Sequence, residues 1–125
     1  MKHALHLAAL ALMICLPAHV HAHEIETDTV LICDTQKQVV RYAQLFDGNE
    51  QVAIRAVNSE ENDPNACALV DVSYVQGPDV GMTRSSSHAF RIVSIVVVGL
   101  NTSRGYGSVT PALFFTPVKI NELAV

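Results

Sequence analysis

The chain has no Cys-x-x-Cys pair, no Gly-x-Ser-x-Gly elbow, no EF-hand loop and no apolar run of membrane length. Each gap removes a class of function. Without Cys-x-x-Cys, and with no histidine near either later cysteine, there is no zinc set and no paired reactive thiol. Without the elbow, the sharp turn that presents a hydrolase serine is missing. A membrane span needs about twenty consecutive apolar residues, and no stretch here reaches that length. Positive charge is also scarce, with 8 Lys and Arg against 12 Asp and Glu and a formal net charge of −4. Nucleic acid and anionic membrane are therefore not partners through charge. No internal repeat, low-complexity run or linker divides the chain.

What is present begins with a leader. Lys2 precedes an apolar run from Leu5 to Leu16, Pro17 breaks it, and Ala18-His-Val-His-Ala22 supplies small residues suited to cleavage after Ala22. That is the layout of a secretory signal peptide over residues 1–22. Ile14 stands where a lipoprotein signal needs a small residue before Cys15, so acylation of Cys15 is not expected. Residues 23–125 then form one exported domain, in periplasm or medium, and the loss of Lys2 makes it one unit more negative.

Export gives the cysteine count its meaning. Cys15 leaves with the leader, and Cys33 with Cys67 is the pair expected to form a structural disulfide. By the chain-entropy model that link contributes on the order of 3 to 4 kcal/mol, a large share of the stability of so small a domain.

The strongest local pattern is Ala89 to Leu100, AFRIVSIVVVGL. β-Branched residues at Ile92, Val93, Ile95, Val96, Val97 and Val98 favour a strand, and both of its faces are apolar, so it should be central and covered on both sides. Upstream, Thr29 to Cys33 reads as a first strand. Thr35 and Gln38 are spaced as a capping box, and Val39, Tyr42, Ala43 and Phe46 share one helical face. Gly48 is placed for a left-handed cap, and a second short helix is expected over Glu50 to Val57. Asn58 to Ala66 has loop composition. Cys67 opens a strand that ends in a turn at Gln76-Gly77-Pro78-Asp79, from which a hairpin leads to a short strand at Val80 to Arg84. A flexible tip over 101–108 joins the central strand to a last strand, Val109 to Ile120, which Pro111 and Pro117 mark as an edge or bent strand. The expected fold is α+β, with one or two N-terminal helices packed on a mostly antiparallel sheet and one disulfide.

Candidate sites are few. Glu60, Glu61 and Asp63 form an acidic loop that suits a cationic partner, and Tyr106 at the tip is a contact residue of the kind exported modules keep on loops. Asn58, Glu60, Asn62 and Asp63 carry oxygens that suit calcium, but a glycine at the turning position and a closing bidentate glutamate are missing. Gly105-Tyr-Gly-Ser108 is no phosphate loop, because a strand rather than a helix follows it. His19, His21 and His23 alternate, but cleavage separates the first two from His23, whose new terminus is a weak copper or nickel site. Ser85, Ser86 or Ser87 with His88 and Asp71 is the one hydrolase-type combination. No cofactor is expected. Asn101-Thr-Ser103 matches a glycosylation sequon.

The run ICDT before a helix, NDPNAC before a strand, the VVVG strand and the closing TPALFFTPVKINE together resemble small exported proteobacterial proteins. The resemblance spans most of residues 23–125 and implies no activity, so no catalytic residue comes with it. The residues favour a non-enzymatic exported domain that binds a protein or small ligand through 58–66 or 101–108. Two alternatives stand beside it, a small hydrolase-like enzyme using His88 and an envelope component that self-associates through the proline-marked strand.

Overall fold

The computed structural model describes residues 24–121. The leader, its cleavage site and His23 lie outside the described residues. The elements run β1 (Ile25–Cys33), α1 (Gln36–Leu45), α2 (Glu50–Glu60), β2 (Cys67–Arg84), β3 (Ala89–Thr102) and β4 (Gly105–Ile120). Two helices thus pack with a four-stranded antiparallel sheet, an α+β fold, and Cys33 is bonded to Cys67.

Local chemistry accounts for the helices. The Thr35 hydroxyl accepts from the Gln38 N–H at 3.2 Å while the Gln38 side chain accepts from the Thr35 N–H at 3.1 Å, a closed capping box. From α1, Val39, Tyr42 and Ala43 turn inward, and Phe46, just beyond it, is buried with them. α2 is capped by Asn49, whose side chain accepts from the Val52 N–H, and it buries Ala53, Ile54 and Val57. Helix α2 runs on to Glu60, so Asn58 and Glu60 belong to a helix and not to a loop.

The strands are longer than the sequence patterns suggested. β1 begins four residues earlier than the apolar run, because Ile25 to Asp28 pair with Val72 to Val75 although they are exposed. The hairpin expected at Gln76 to Asp79 does not form. β2 continues through it as one strand of 18 residues, with register shifts between Gln76 and Asp79 and between Asp79 and Gly81. Close approach explains this: a Cβ on Gly77 would stand 2.6 Å from the Ser94 Oγ, and that hydroxyl donates to the Pro78 carbonyl at 3.1 Å. The Gly-Pro pair therefore makes a bulge that bends β2 over β3. The tip is also shorter than expected, since β4 already starts at Gly105.

β3 is the central strand, paired to β2 on one side and β4 on the other. Its two faces serve two cores. Phe90 and Ile92 join Leu31, Val39, Phe46 and Val57 beneath the helices, while Val93, Ile95 and Val97 join Ile32 and Val72 on the inner face of the curled sheet. Each fully buried Val, Ile or Phe contributes about 1.5 to 3 kcal/mol of transfer free energy. The sheet curls until β4 meets β1, but the two pair at one position alone, Cys33 with Phe115. Away from that pair the seam between β1 and β4 has no ladder. Among the described residues no helix is long and apolar enough to cross a membrane.

Candidate functional site

The open seam holds a cavity. A cleft of about 560 Å³ is bounded by the β1 edge at Thr29, Val30 and Leu31 and by the β4 edge at Thr116, Pro117, Val118 and Lys119. In antiparallel strands that meet at Cys33 and Phe115, these are the next residues outward on each side. Tyr42, Phe46 and Glu50 line it from the helix side; Tyr74, Val93 and Ile95 line it from the inner face of the sheet. Because both faces contribute, the cleft passes through the seam into the interior of the curled sheet. Its floor is apolar, since Val93 and Ile95 are almost wholly buried.

Four titratable groups stand around this floor. Tyr42 is 3% exposed and lines the cleft, and among the described residues no buried side-chain oxygen or nitrogen is left without a partner. Burial, with the charge of Glu50 second, holds its phenol well above the ordinary range. Tyr74 is pushed up to about 12, first by burial and then by a hydrogen bond to Glu26, which faces it across the β1–β2 ladder. Both phenols are thus neutral donors at physiological pH. Glu50 sits in the first turn of α2, where the helix N-terminus favours a negative charge. The Lys119 ammonium lies 4.6 Å from the centre of the Phe46 ring, a cation–π contact at the rim. An apolar chamber with a few convergent polar groups is the usual form of a small-molecule site.

The residues singled out from sequence stand elsewhere. Cys33 and Cys67 are direct partners across β1 and β2 and close a 34-residue separation. Glu60 is engaged by Arg41, which donates from Nε at 2.9 Å and from Nη2 at 2.8 Å, clamping α2 to α1; this holds the carboxyl below its ordinary value. Glu61 caps the end of α2 and is exposed. Asp63 accepts from the Asn65 N–H at 2.8 Å, and its charge adds to burial in raising the carboxyl of Asp34. Asp63 also borders a second, more open depression of about 380 Å³ with Arg55, Asn58 and Pro64. Tyr106 is 57% exposed and lays its ring over Gly99, a place any side chain would fill. The acidic residues and Tyr106 are not brought into one site, and neither group lines the seam cleft.

Other sequence candidates also resolve into contacts. Asn58 is not an idle oxygen donor: its Oδ1 accepts from the Cys67 N–H at 2.8 Å, and its Nδ2 donates to the carbonyls of Pro64 and Cys67 at 2.8 and 3.0 Å. His88 Nδ1 lies 2.7 Å from the Ser87 Oγ, and its ring packs edge-on to Phe46. Asp71 accepts from the Asn101 amide at 2.9 Å rather than orienting His88. Among the described residues no cluster of three or more His, Cys, Asp or Glu could hold a metal ion. On the uncovered outer face Ile25, Val75, Val96 and Leu113 line up across all four strands.

No family model, no curated protein and no solved structure matches this chain. The functional reading therefore rests on the geometry of the cleft.

Tyr42, Phe46 and Gly48 were read as parts of α1 and its cap, and no local motif joins them to the other lining residues as a site. Lys119, a lone cation within FFTPVKI, is the residue that could have drawn attention to this end of β4.

Proposed function

We propose that this chain is an exported, non-enzymatic binding module that holds a small ligand in the seam between β1 and β4. One observation carries the reading: a 560 Å³ chamber with a buried apolar floor, entered between two strand edges that a single residue pair holds together. The leader pattern over residues 1–22 and the Cys33–Cys67 disulfide support an oxidising compartment, periplasm or medium. The disulfide anchors the buried end of β1 to β2 at the same residue, Cys33, that pairs with Phe115 across the seam.

A direct test uses anilinonaphthalenesulfonate as an apolar probe of the oxidised protein. The expected result is saturable one-site fluorescence enhancement, lost in Val118→Trp and in Thr29→Trp, each of which places an indole in the opening. Thr29 is exposed, so its replacement leaves the core intact and the unfolding temperature near that of the parent. Absent enhancement, or enhancement that both tryptophans leave unaltered, would falsify the reading.

The second reading, a hydrolase-like enzyme, has the Ser87–His88 contact in its favour. It needs an acid or other orienting group for His88. A turnover assay with His88→Ala separates it from binding.

A further inference from the structure

Resting on the seam-cleft reading, we infer that the ligand is a monoanionic amphiphile, its apolar body in the chamber and its acidic head at the rim between Lys119 and Tyr42. The argument is one of charge and hydrogen-bond accounting. Two charged residues line the cleft, Glu50 and Lys119. Glu50 is already compensated, because its carboxylate occupies the first turn of α2, where the Asn49 cap and the helix N-terminus favour an anion. Lys119 is not. Among the described residues no carboxylate pairs with it, and its ammonium lies over the Phe46 ring face.

That ring contact fixes the ammonium at the rim without neutralising it, so an arriving anion meets a positioned cation. Arg41 and Arg91 differ, being committed to Glu60 and Asp79. In an acidic protein an uncommitted cation over an apolar chamber is the feature that selects charge sign. Tyr42 adds the second element. This residue, 97% withdrawn from solvent, lines the cleft, and its phenol can donate to an acceptor bound there. A carboxylate, with several lone pairs, can take both the ammonium and the phenol, and the chamber beyond offers Val93, Ile95 and Val118 to an alkyl or aryl body.

The test compares three probes of one chain length: decanoate, decanol and decyltrimethylammonium, each titrated calorimetrically into the oxidised full chain. The expected order places decanoate at least about tenfold tighter than decanol, with the cation weakest. In Lys119→Met the decanoate preference falls to within about twofold while decanol affinity stays put; Lys119→Arg keeps it. Tyr42→Phe weakens decanoate several-fold and decanol little. Lys119 is exposed, so both of its variants keep the parent fold. Equal binding of all three probes, or a preference that survives Lys119→Met, overturns the charge inference and leaves the cleft reading standing. If none of the three binds, both fall.

Discussion

The two ends of β1 are opposites. At Cys33 the strand is wholly buried, bonded to Cys67, and paired to β2 on one side and to Phe115 of β4 on the other. At Ile25 to Thr29 the same strand is exposed, keeps its β2 ladder and has no β4 partner. Identical backbone geometry thus serves as a lock at one end and a doorway at the other. The difference teaches that closure of this sheet does not come from its ladder. One residue pair and the helix layer hold the seam at its buried end, where the disulfide anchors β1 to β2, and this leaves the remaining β1 and β4 edges free to frame a chamber.

Reduction should break the contrast most strongly. The disulfide closes 34 residues, and its loss removes on the order of 3 to 4 kcal/mol from a domain of this size. The thermal midpoint of the reduced protein, or of the Cys33→Ala/Cys67→Ala pair, is expected to fall by more than about 10 °C. Circular dichroism with and without reductant measures it directly. An unchanged midpoint would show that the β1–β2 ladder and the helix layer hold the buried end without the disulfide, and the comparison of the two ends would lose its covalent half.

How much of this was legible in the sequence follows from where the information sits. α1 could be read because its determinants are local: Thr35 and Gln38 are three residues apart, and its buried face repeats every three to four residues. The central strand could be read because Ile92 to Val98 is apolar on both faces. β2 was misjudged at Gln76 to Asp79 because a turn and a bulge use the same residues. What decides between them is the Ser94 hydroxyl, sixteen residues on, reaching the Pro78 carbonyl. The cleft was not legible for the same reason on a larger scale. Tyr42, Glu50, Tyr74 and Lys119 come from four elements, and only the closure of β4 onto β1 brings them together. Pro111 and Pro117 marked β4 as an edge or bent strand, which is a trace of the seam in the sequence.

Asn58→Ala comes next in expected size and sharpens the comparison at the locked end. The Asn58 amide makes three hydrogen bonds to backbone groups around Pro64 and Cys67, fastening the end of α2 to the start of β2 beside the disulfide. Truncation leaves the N–H of nearly wholly buried Cys67 without that acceptor, a cost of about 2 kcal/mol. Denaturant unfolding of oxidised protein should show it as a lower midpoint at unchanged slope. Measured again after reduction, the loss should shrink, because the two fastenings restrain the same joint and are coupled rather than additive. Equal losses in both states would mean that Asn58 acts on α2 alone.

Glu60→Gln is expected to have the smallest effect, and its interest lies in that smallness. Glu60 and Arg41 form a bidentate pair between the helices, but both side chains are close to half exposed, where water and salt screen the attraction and the ordering of two long side chains offsets it. The unfolding midpoint of Glu60→Gln should therefore lie within measurement scatter of the parent at physiological salt. At pH 7 the lowered carboxyl is ionised in both folded and unfolded chains. Whatever stability the pair does contribute is present above the unfolded-state value and is lost as pH falls through the folded one, so any difference from Glu60→Gln should vanish in acid. A second measurement gives the variant its use: decanoate affinity. The clamp lies outside the cleft, so Glu60→Gln should leave that affinity unchanged. If the affinity moves while the midpoint does not, the acidic end of α2 is coupled to the seam through α1, and the lock and the doorway are not independent.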